Sequence, residues 1–498
     1  MTRGRLAVHG HFYQPSRIDP FTGEAPVEPS AAPYHDWNAR VSAEAYRPNA
    51  ERHNYDRISW DLGPTLAAWL ERGDPVAYRG FVEADRPAER DPAIPAGRGN
   101  GMAQPFHHSI LPLASAADRR TEIRWGIRDF RQRFGRMPEG IWLPETAVDL
   151  STLRAAAEEG MRYTILAPWQ AVGTIDPRQP YRVELGGGRS IVVAFYDAGL
   201  SAAVSFEPEA TADADRFARE RVAVRLAAGA PDDPPPLALI ATDGELYGHH
   251  QTFRDLFLQR LIRPGPDVPD RGFDVIDLAS ALVEPTGRPF RTAKIAERTS
   301  WSCHHGVLRW TAECPDARDG RWKGPLRAAL ERLAGGIDVT TEEMAGRLPG
   351  DPDPWDARDA YADVVLGIEP PAAFAATWLA DDATTEERAA WLGLMEAHRW
   401  RLAMFASDGW FWDDPIRPET KQVMRAAARA ARLVDGLAGG GLERRLVEDL
   451  ALFSSPGHGI DGAAIYRTAL AEIGQPASPP DPRPVAGHTS ARGLRTTG

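Results

Sequence analysis

Two short runs place carboxylates where a side chain can react. Trp142-Leu143-Pro144-Glu145 closes an apolar stretch that begins at Gly140, and Asp243-Gly244-Glu245 follows the run Leu237-Ala238-Leu239-Ile240-Ala241-Thr242. A pair of acids at strand ends suits a two-carboxylate reaction, in which one group attacks a carbon and the other protonates a leaving oxygen. The proton donor must keep its proton near neutral pH, which burial and a like-charged neighbour favour. Glu245 stands two residues beyond Asp243, on the same face of an extended chain, where it would supply that repulsion. A third run, Leu6-Ala7-Val8-His9-Gly10-His11-Phe12-Tyr13-Gln14-Pro15, has the same layout, and period-two alternation puts His9 and His11 on one face. Eight of the 13 histidines come in close pairs, at 9/11, 107/108, 249/250 and 304/305.

Such groups need a frame. Continuous apolar runs bounded by Pro and Gly suit parallel strands covered on both faces, and β/α barrels carry their chemistry at the C-terminal ends of such strands. A Pro- and Arg-rich stretch at 15–60 precedes a helix expected near 60–72, and a loop over 84–100 precedes the Gln104 segment. Helix 115–134 leads into the Glu145 strand, and helix 149–159 is followed by the strand Tyr163–Ala167, a βαβ rhythm that implies a parallel sheet. Ile191–Tyr196 reads as a further strand ending at Asp197, and helix 211–228 precedes the Asp243 strand. Beyond about 318 the pattern turns helical, with Leu326, Leu330 and Leu333 on one stripe and long helices over 388–406 and 419–437. The Pro-containing tail 475–498 reads as disordered.

The three runs together resemble the glycoside hydrolase family 57 catalytic domain, with its His-x-His, Trp-x-Pro-Glu and Asp-Gly-Glu-x-aromatic-Gly motifs, the last here Asp243–Gly248. Gln104–Leu113 looks like the second-motif region of one subgroup. Ser300-Trp301-Ser302-Cys303-His304-His305-Gly306 and Trp410-Phe411-Trp412-Asp413-Asp414 look like that subgroup's helical region, so the likeness runs from about residue 5 to 450. The resemblance implies an α/β fold, a seven-stranded β/α barrel over 1–300 followed by an α-helical domain over 301–474. It implies Glu145 as nucleophile and Asp243 as acid/base of a retaining enzyme that hydrolyses or transfers α-glycans without metal or cofactor. Two such carboxylates stand roughly 5–5.5 Å apart. Substrate contacts carry over to Gln14, Glu245 and His249, and to His9 and His11, which would hydrogen-bond sugar hydroxyls or orient a carboxylate, with Trp142, Tyr247 and Trp301 as stacking walls and Trp410 and Trp412 as lid candidates. Two departures stand out: the segment Gly99–Gln104 lacks the Glu common in the second motif, and His249-His250 replaces an aromatic.

Two other readings compete. Paired His with Asp is how related sugar-active barrels, polysaccharide deacetylases and α-mannosidases, hold zinc, but the Asp-Asp at the first strand end and the His-x-x-x-His of the deacetylase pattern are missing. A non-catalytic glycan-binding scaffold is the third reading, against which the presence of both acids speaks. The chain of 498 residues, 43% hydrophobic, suffices for a large core, and its net charge of -12 disfavours nucleic acid and anionic membrane as partners, leaving an oligo- or polysaccharide. Two cysteines make no secreted disulfide framework, and neither a signal peptide nor a membrane-length apolar run is visible, so a cytoplasmic setting is expected. Cys303 is expected to pack as a small apolar residue, because Cys-His-His with a distant Cys matches no zinc-ribbon pattern.

Overall fold

The computed structural model describes residues 3–85, 99–227, 235–284 and 288–474; the tail expected to be disordered and most of the 84–100 loop lie outside them. Nine strands are present among these: β1 (Gly4–Phe12), β2 (Ser59–Leu62), β3 (Gly101–Met102), β4 (Tyr163–Leu166), β5 (Tyr181–Gly186), β6 (Arg189–Phe195), β7 (Leu237–Asp243), β8 (Phe273–Val275) and β9 (Arg291–Thr292). One sheet runs β3-β2-β1-β7, all parallel, with β8 paired to the first residues of β1. β1 and β7 are apolar almost throughout because both are covered on both faces. The register of this sheet sets up the chemistry, since His11 of β1 pairs with Asp61 of β2 on one side and Asp243 of β7 on the other.

The second sheet, β4-β6-β5-β9, is mixed, with β5 and β6 forming an antiparallel hairpin. Between the two sheets the segment around Ile141 makes only single parallel bridges, Ala103 with Ile141 and Gly140 with Tyr163. The expected single seven-stranded ladder is therefore two ladders among the described residues. Pro144 stops the 140–143 segment before it can pair further, and the hairpin turns the second sheet onto a different partner.

The expected helices are present with small shifts, at Pro64–Gly73, Ala116–Phe134, Leu150–Glu158, Thr385–Ala403 and Pro418–Ala438. The expected helix 211–228 is instead three short pieces between Ala214 and Leu226, the middle one wound as a π-helix. The Pro- and Arg-rich stretch 15–60, for which no element was expected, carries helical turns from Trp37 to Glu51, begun by Asp36, whose carboxylate accepts from the Ala39 N–H at 2.9 Å. From Lys323 onward every regular element described is a helix. Leu326, Leu330, Leu333 and Ile337 of helix Lys323–Ala345 are buried with Ala426, Ala427, Ala430 and Ala431 of Pro418–Ala438, small residues that let the helices approach closely. No helix among the described residues is long and apolar enough to cross a membrane.

A buried ion cluster fastens these helices to the α/β part. Asp118, in the first turn of helix Ala116–Phe134, accepts from Arg358 at 2.8 Å and Arg401 at 2.9 Å, and Arg401 also donates to Asp338 at 2.6 Å. The Arg358 side chain is 1% exposed. Replacing Asp118 with Ala leaves a guanidinium buried without its partner, so chemical denaturation should show a loss of about 3–5 kcal/mol, whereas loss of a surface pair would cost about 1 kcal/mol or less.

Candidate active site

At the centre lies Asp61, a carboxylate with no exposed surface on β2. It accepts from His9 Nε2 at 2.9 Å, His11 Nδ1 at 2.8 Å and Gln104 Nε2 at 2.6 Å. Although burial opposes its ionisation, His11 and His9 hold Asp61 below the usual carboxylate range. Burial also works against charge on His11, yet Asp61 outweighs it, with help from Asp243 and Glu245, and raises that imidazole to about 9. Burial wins at His9, which is lowered. Thus at neutral pH His11 is a cation held on Asp61 within electrostatic reach of Asp243 and Glu245, and His9 a neutral prop, its other nitrogen 3.0 Å from Ser59 Oγ.

Asp243 ends β7 with its side chain open to the cleft and surrounded by protein on its other sides. Among the described residues it has no hydrogen-bond partner. Burial lifts it to about 6, with Glu145 and Asp61 adding repulsion against the opposing pull of His11. The turn after it is tight: a Cβ on Gly244 would lie 2.2 Å from the Phe12 ring, so glycine is required between the two acids. Glu245 is buried and accepts a short hydrogen bond from the Tyr46 hydroxyl, with Gln14 Nε2 at 3.5 Å. Burial and the neighbouring Asp243 raise Glu245 to about 7.

Glu145 is presented differently. Pro144 ends the extended segment, and Glu145 and Thr146 both take left-handed backbone conformations, φ 57° and 46°. Such non-glycine residues cost roughly 1–3 kcal/mol each and persist only where their surroundings hold them. Gln170 does so here: its Nε2 donates to the Thr146 carbonyl at 2.8 Å while its Oε1 accepts from Thr146 Oγ1 at 2.9 Å. The Trp301 N–H donates to the Glu145 carbonyl at 3.1 Å. The half-buried Glu145 carboxylate accepts from Ser302 Oγ at 2.5 Å and Trp301 Nε1 at 3.2 Å, two donors that fix its orientation.

Several expected contacts are corrected. His9 is fully enclosed and can support but not touch a ligand, and Trp142 has no exposed surface, lying beneath His9 and His11 with ring centroids 5.0 and 4.9 Å away. Tyr247 is buried in the core on the Phe12 side, and Trp410, considered for a lid, is core as well, its Nε1 donating to the Lys323 carbonyl at 3.3 Å. Strand ends pack apolar layers below the groups they display, which is why these aromatics sit one layer too deep. Trp301 remains half-buried with its edge on Trp142, the one expected stacking wall that reaches the cleft. His249 is partly buried and engages Glu44 through a short hydrogen bond, and Gln14 is half-buried beside Glu245.

Four participants were not foreseen. Tyr46 comes from the Pro- and Arg-rich stretch and Asp61 from a four-residue strand, while Ser302 is the neighbour of a residue chosen for its ring. Asp408 arrives from the helical region to accept from Tyr13 OH at 2.7 Å, and burial raises it to about 7. Tyr13 in turn stacks on His108 at 3.7 Å, whose Nδ1 lies 2.7 Å from Ser407 Oγ. The signal available was the polar ending of each strand, which marks Asp61 as it marks Asp243.

The arrangement is that of an α/β protein whose parallel strands end in a cleft of opposed acids. Residues 95–278 match the model described as Glycosyl hydrolase family 57, and residues 319–474 match a Domain of unknown function (DUF3536). An α-amylase of Pyrococcus horikoshii is 23% identical over 228 residues, 44% of this chain and 33% of that protein, so the chain spans about a third of that relative's length. Two solved structures share the fold: an exo-type maltose-forming amylase from Pyrococcus sp. ST04 (15% identity, 90% of this chain and 83% of that one, TM-score 0.69) and a branching enzyme from Thermococcus kodakaraensis (15%, 90% and 94%, 0.57). The stretch that matches the Glycosyl hydrolase family 57 model, residues 95–278, includes Glu145, Asp243 and Glu245.

The raised carboxyl of Glu245 has a thermodynamic consequence. Its folded-state value lies above the unfolded one, so the stability it lends is present below about pH 4 and lost as pH rises through 7. Thermal melts should therefore show Glu245→Gln matching wild type at pH 4 and exceeding it at pH 8, by about 1–3 kcal/mol.

Proposed function

We propose that this chain is a retaining glycoside hydrolase or transglycosylase acting on α-glycans, with Glu145 as nucleophile and Asp243 as acid/base. The observation that carries this is the contrast between the two acids. Glu145 has two side-chain donors on its carboxylate, and Asp243, at the end of the strand next to β1, has none and holds its proton to about pH 6. In the first half-reaction Asp243 gives its proton to the glycosidic oxygen while a Glu145 oxygen attacks the anomeric carbon, breaking the bond to the leaving sugar. In the second, the Asp243 carboxylate takes a proton from water or a sugar hydroxyl, which displaces Glu145. The His11 cation, tied to Asp61, faces Asp243 and stabilises its anion between the two halves. Trp301, half-buried beside Glu145, offers an edge and a face to the sugar ring.

The same reading treats the strands as a distorted seven-stranded barrel in the order β7, β1, β2, β3, segment 140–142, β4, β6. Its support is the pair of bridges through Ile141 and Gly140, together with the hydrogen bond from the Asp197 N–H, just past β6, to the Leu239 carbonyl of β7 at 2.8 Å. On this view residues 1–300 form the catalytic barrel, and the helices of 301–474 complete its cleft through Asp408.

Incubating wild type with glucosyl, maltosyl, galactosyl and mannosyl fluorides of α configuration tests the assignment. Wild type should release fluoride or gain a sugar-sized mass, while Glu145→Gln should lose turnover by roughly 10³–10⁶-fold. No reaction with any donor, with both proteins folded, would overturn the nucleophile. The free-enzyme profile offers a second check: kcat/KM should fall as pH rises above about 6, following the proton on Asp243. A profile flat to pH 8 would remove Asp243 as the acid.

A further inference from the structure

Beside the cleft, four side chains of one loop have converged in a way that the proposed glycosyl chemistry does not use. Cys303 and Cys314, the chain's only cysteines, place their sulfurs 3.5 Å apart. His305 Nδ1 lies 3.7 Å from Cys314 Sγ and 3.3 Å from Asp316 Oδ2. One donor atom from each of these four residues lies within 4.8 Å of every other. In sequence the group reads Cys-x-His, then Cys-x-Asp. The expectation that Cys303 is simply a small apolar residue holds for one side of it only. Both sulfurs are seated in the apolar cluster with Trp310 and Trp322, while the exposed His305 and Asp316 close over them from the solvent side.

Four donors in this mixture suit one kind of ion. A tetrahedral zinc with Zn–S of about 2.3 Å and Zn–N or Zn–O of about 2.0–2.2 Å sets its ligand atoms about 3.3–3.8 Å apart, and the three measured edges fall in that range. Two thiolates, an imidazole and a carboxylate match the borderline softness of zinc rather than the all-oxygen preference of magnesium or calcium. Charge balance gives an independent indication. Two thiolates and a carboxylate around a divalent ion leave one net negative charge, and the enclosed Lys323 ammonium, with no hydrogen-bond partner among the described residues, is within electrostatic reach of Asp413 and of both sulfurs. A buried cation needs a counter-charge, and a zinc–thiolate centre is one.

We propose that Cys303, His305, Cys314 and Asp316 bind a structural zinc ion that fixes the 300–316 loop beside Glu145. On binding, each thiol releases its proton to solvent and no redox step is involved. All four positions are filled by protein, as in structural rather than catalytic centres. The loop is shaped for it. Gly306, at φ 76°, donates its N–H to the Cys303 carbonyl at 3.1 Å, and a Cβ there would lie 2.3 Å from the Arg298 carbonyl oxygen. Its consequence rests on the reading of Glu145 as nucleophile, because Trp301 and Ser302, the donors to that carboxylate, immediately precede Cys303.

Elemental analysis of full-length protein, expressed in zinc-containing medium and gel-filtered, is the direct test. Stoichiometric zinc is expected in wild type and in Glu145→Gln, and its loss in the Cys303→Ser/Cys314→Ser pair. Should that pair fail to fold, His305→Ala and Asp316→Ala, both at exposed positions, should weaken zinc in chelator competition by more than the roughly 10–100-fold typical of outer-shell changes. Cobalt(II) in place of zinc should give thiolate charge-transfer absorption in wild type, and removing the metal should speed hydrogen exchange over 300–316 more than elsewhere. Wild type lacking both zinc and the cobalt bands would overturn the proposal, as would zinc retained without the cysteines, or an intact mass two hydrogens light that reductant restores. Zinc without glycosyl turnover sinks the proposed activity and keeps the metal site; turnover in zinc-free protein does the reverse.

Discussion

The architecture of the cleft depends on one buried negative charge. Asp61 has no contact with water, and a carboxylate so placed persists only if it is paired and hydrogen-bonded. It is met by three donors, from His9, His11 and Gln104, and each donation fixes something else. His9 and His11 are held parallel to the Trp142 ring below them, which sets the floor of the cleft. His11 becomes cationic and so tunes Asp243 on the opposite side of β1. Gln104 ties the chain just past β3 to β2. One anion thereby transmits order from β2 across β1 to the acid on β7.

What could be read from the sequence, and what could not, follows from the range of the interactions involved. Glu145, Asp243 and Glu245 were visible because each stands directly after an apolar run, and a strand's own residues determine what its end displays. The long helices were visible for the same reason, since a repeat of 3.6 residues is written locally. Tyr46 and Asp408 carried no such mark, and Asp61 only that of a polar residue near the end of a short strand. Tyr46 meets Glu245 from 199 residues away, and Asp408 meets Tyr13 from 395, distances over which period and propensity say nothing. The mistaken walls, Trp142, Tyr247 and Trp410, show the same limit from the other side, because depth along a strand or helix is decided by what packs above it. The barrel expected as one ladder divides at the 140–142 segment, where a proline placed to turn out Glu145 also ends its pairing.

The cleft is also where local rules are broken. Two consecutive left-handed residues at 145–146, a carboxyl near pH 7 in the core and an aspartate without a donor are each unfavourable on their own. Gln170, Tyr46 and the 300–302 segment hold them in place, and none of these neighbours could be exchanged freely without releasing that tension. A fold that concentrates its unfavourable features around a few acids, and is otherwise regularly packed, is what a reactive centre requires.

The hydrogen bond between Tyr13 and Asp408 carries a consequence for how the molecule is made. At synthesis rates of roughly 5–20 residues per second, some 20–80 s separate the appearance of these two side chains at the ribosome. For the first half of that interval β1 has emerged with apolar residues on both of its faces while β7, which covers one of its edges, is still to come. The strand that anchors the cleft is thus a nascent segment with apolar surface left uncovered, and the cleft gains its Asp408 side only after residue 408 has been made.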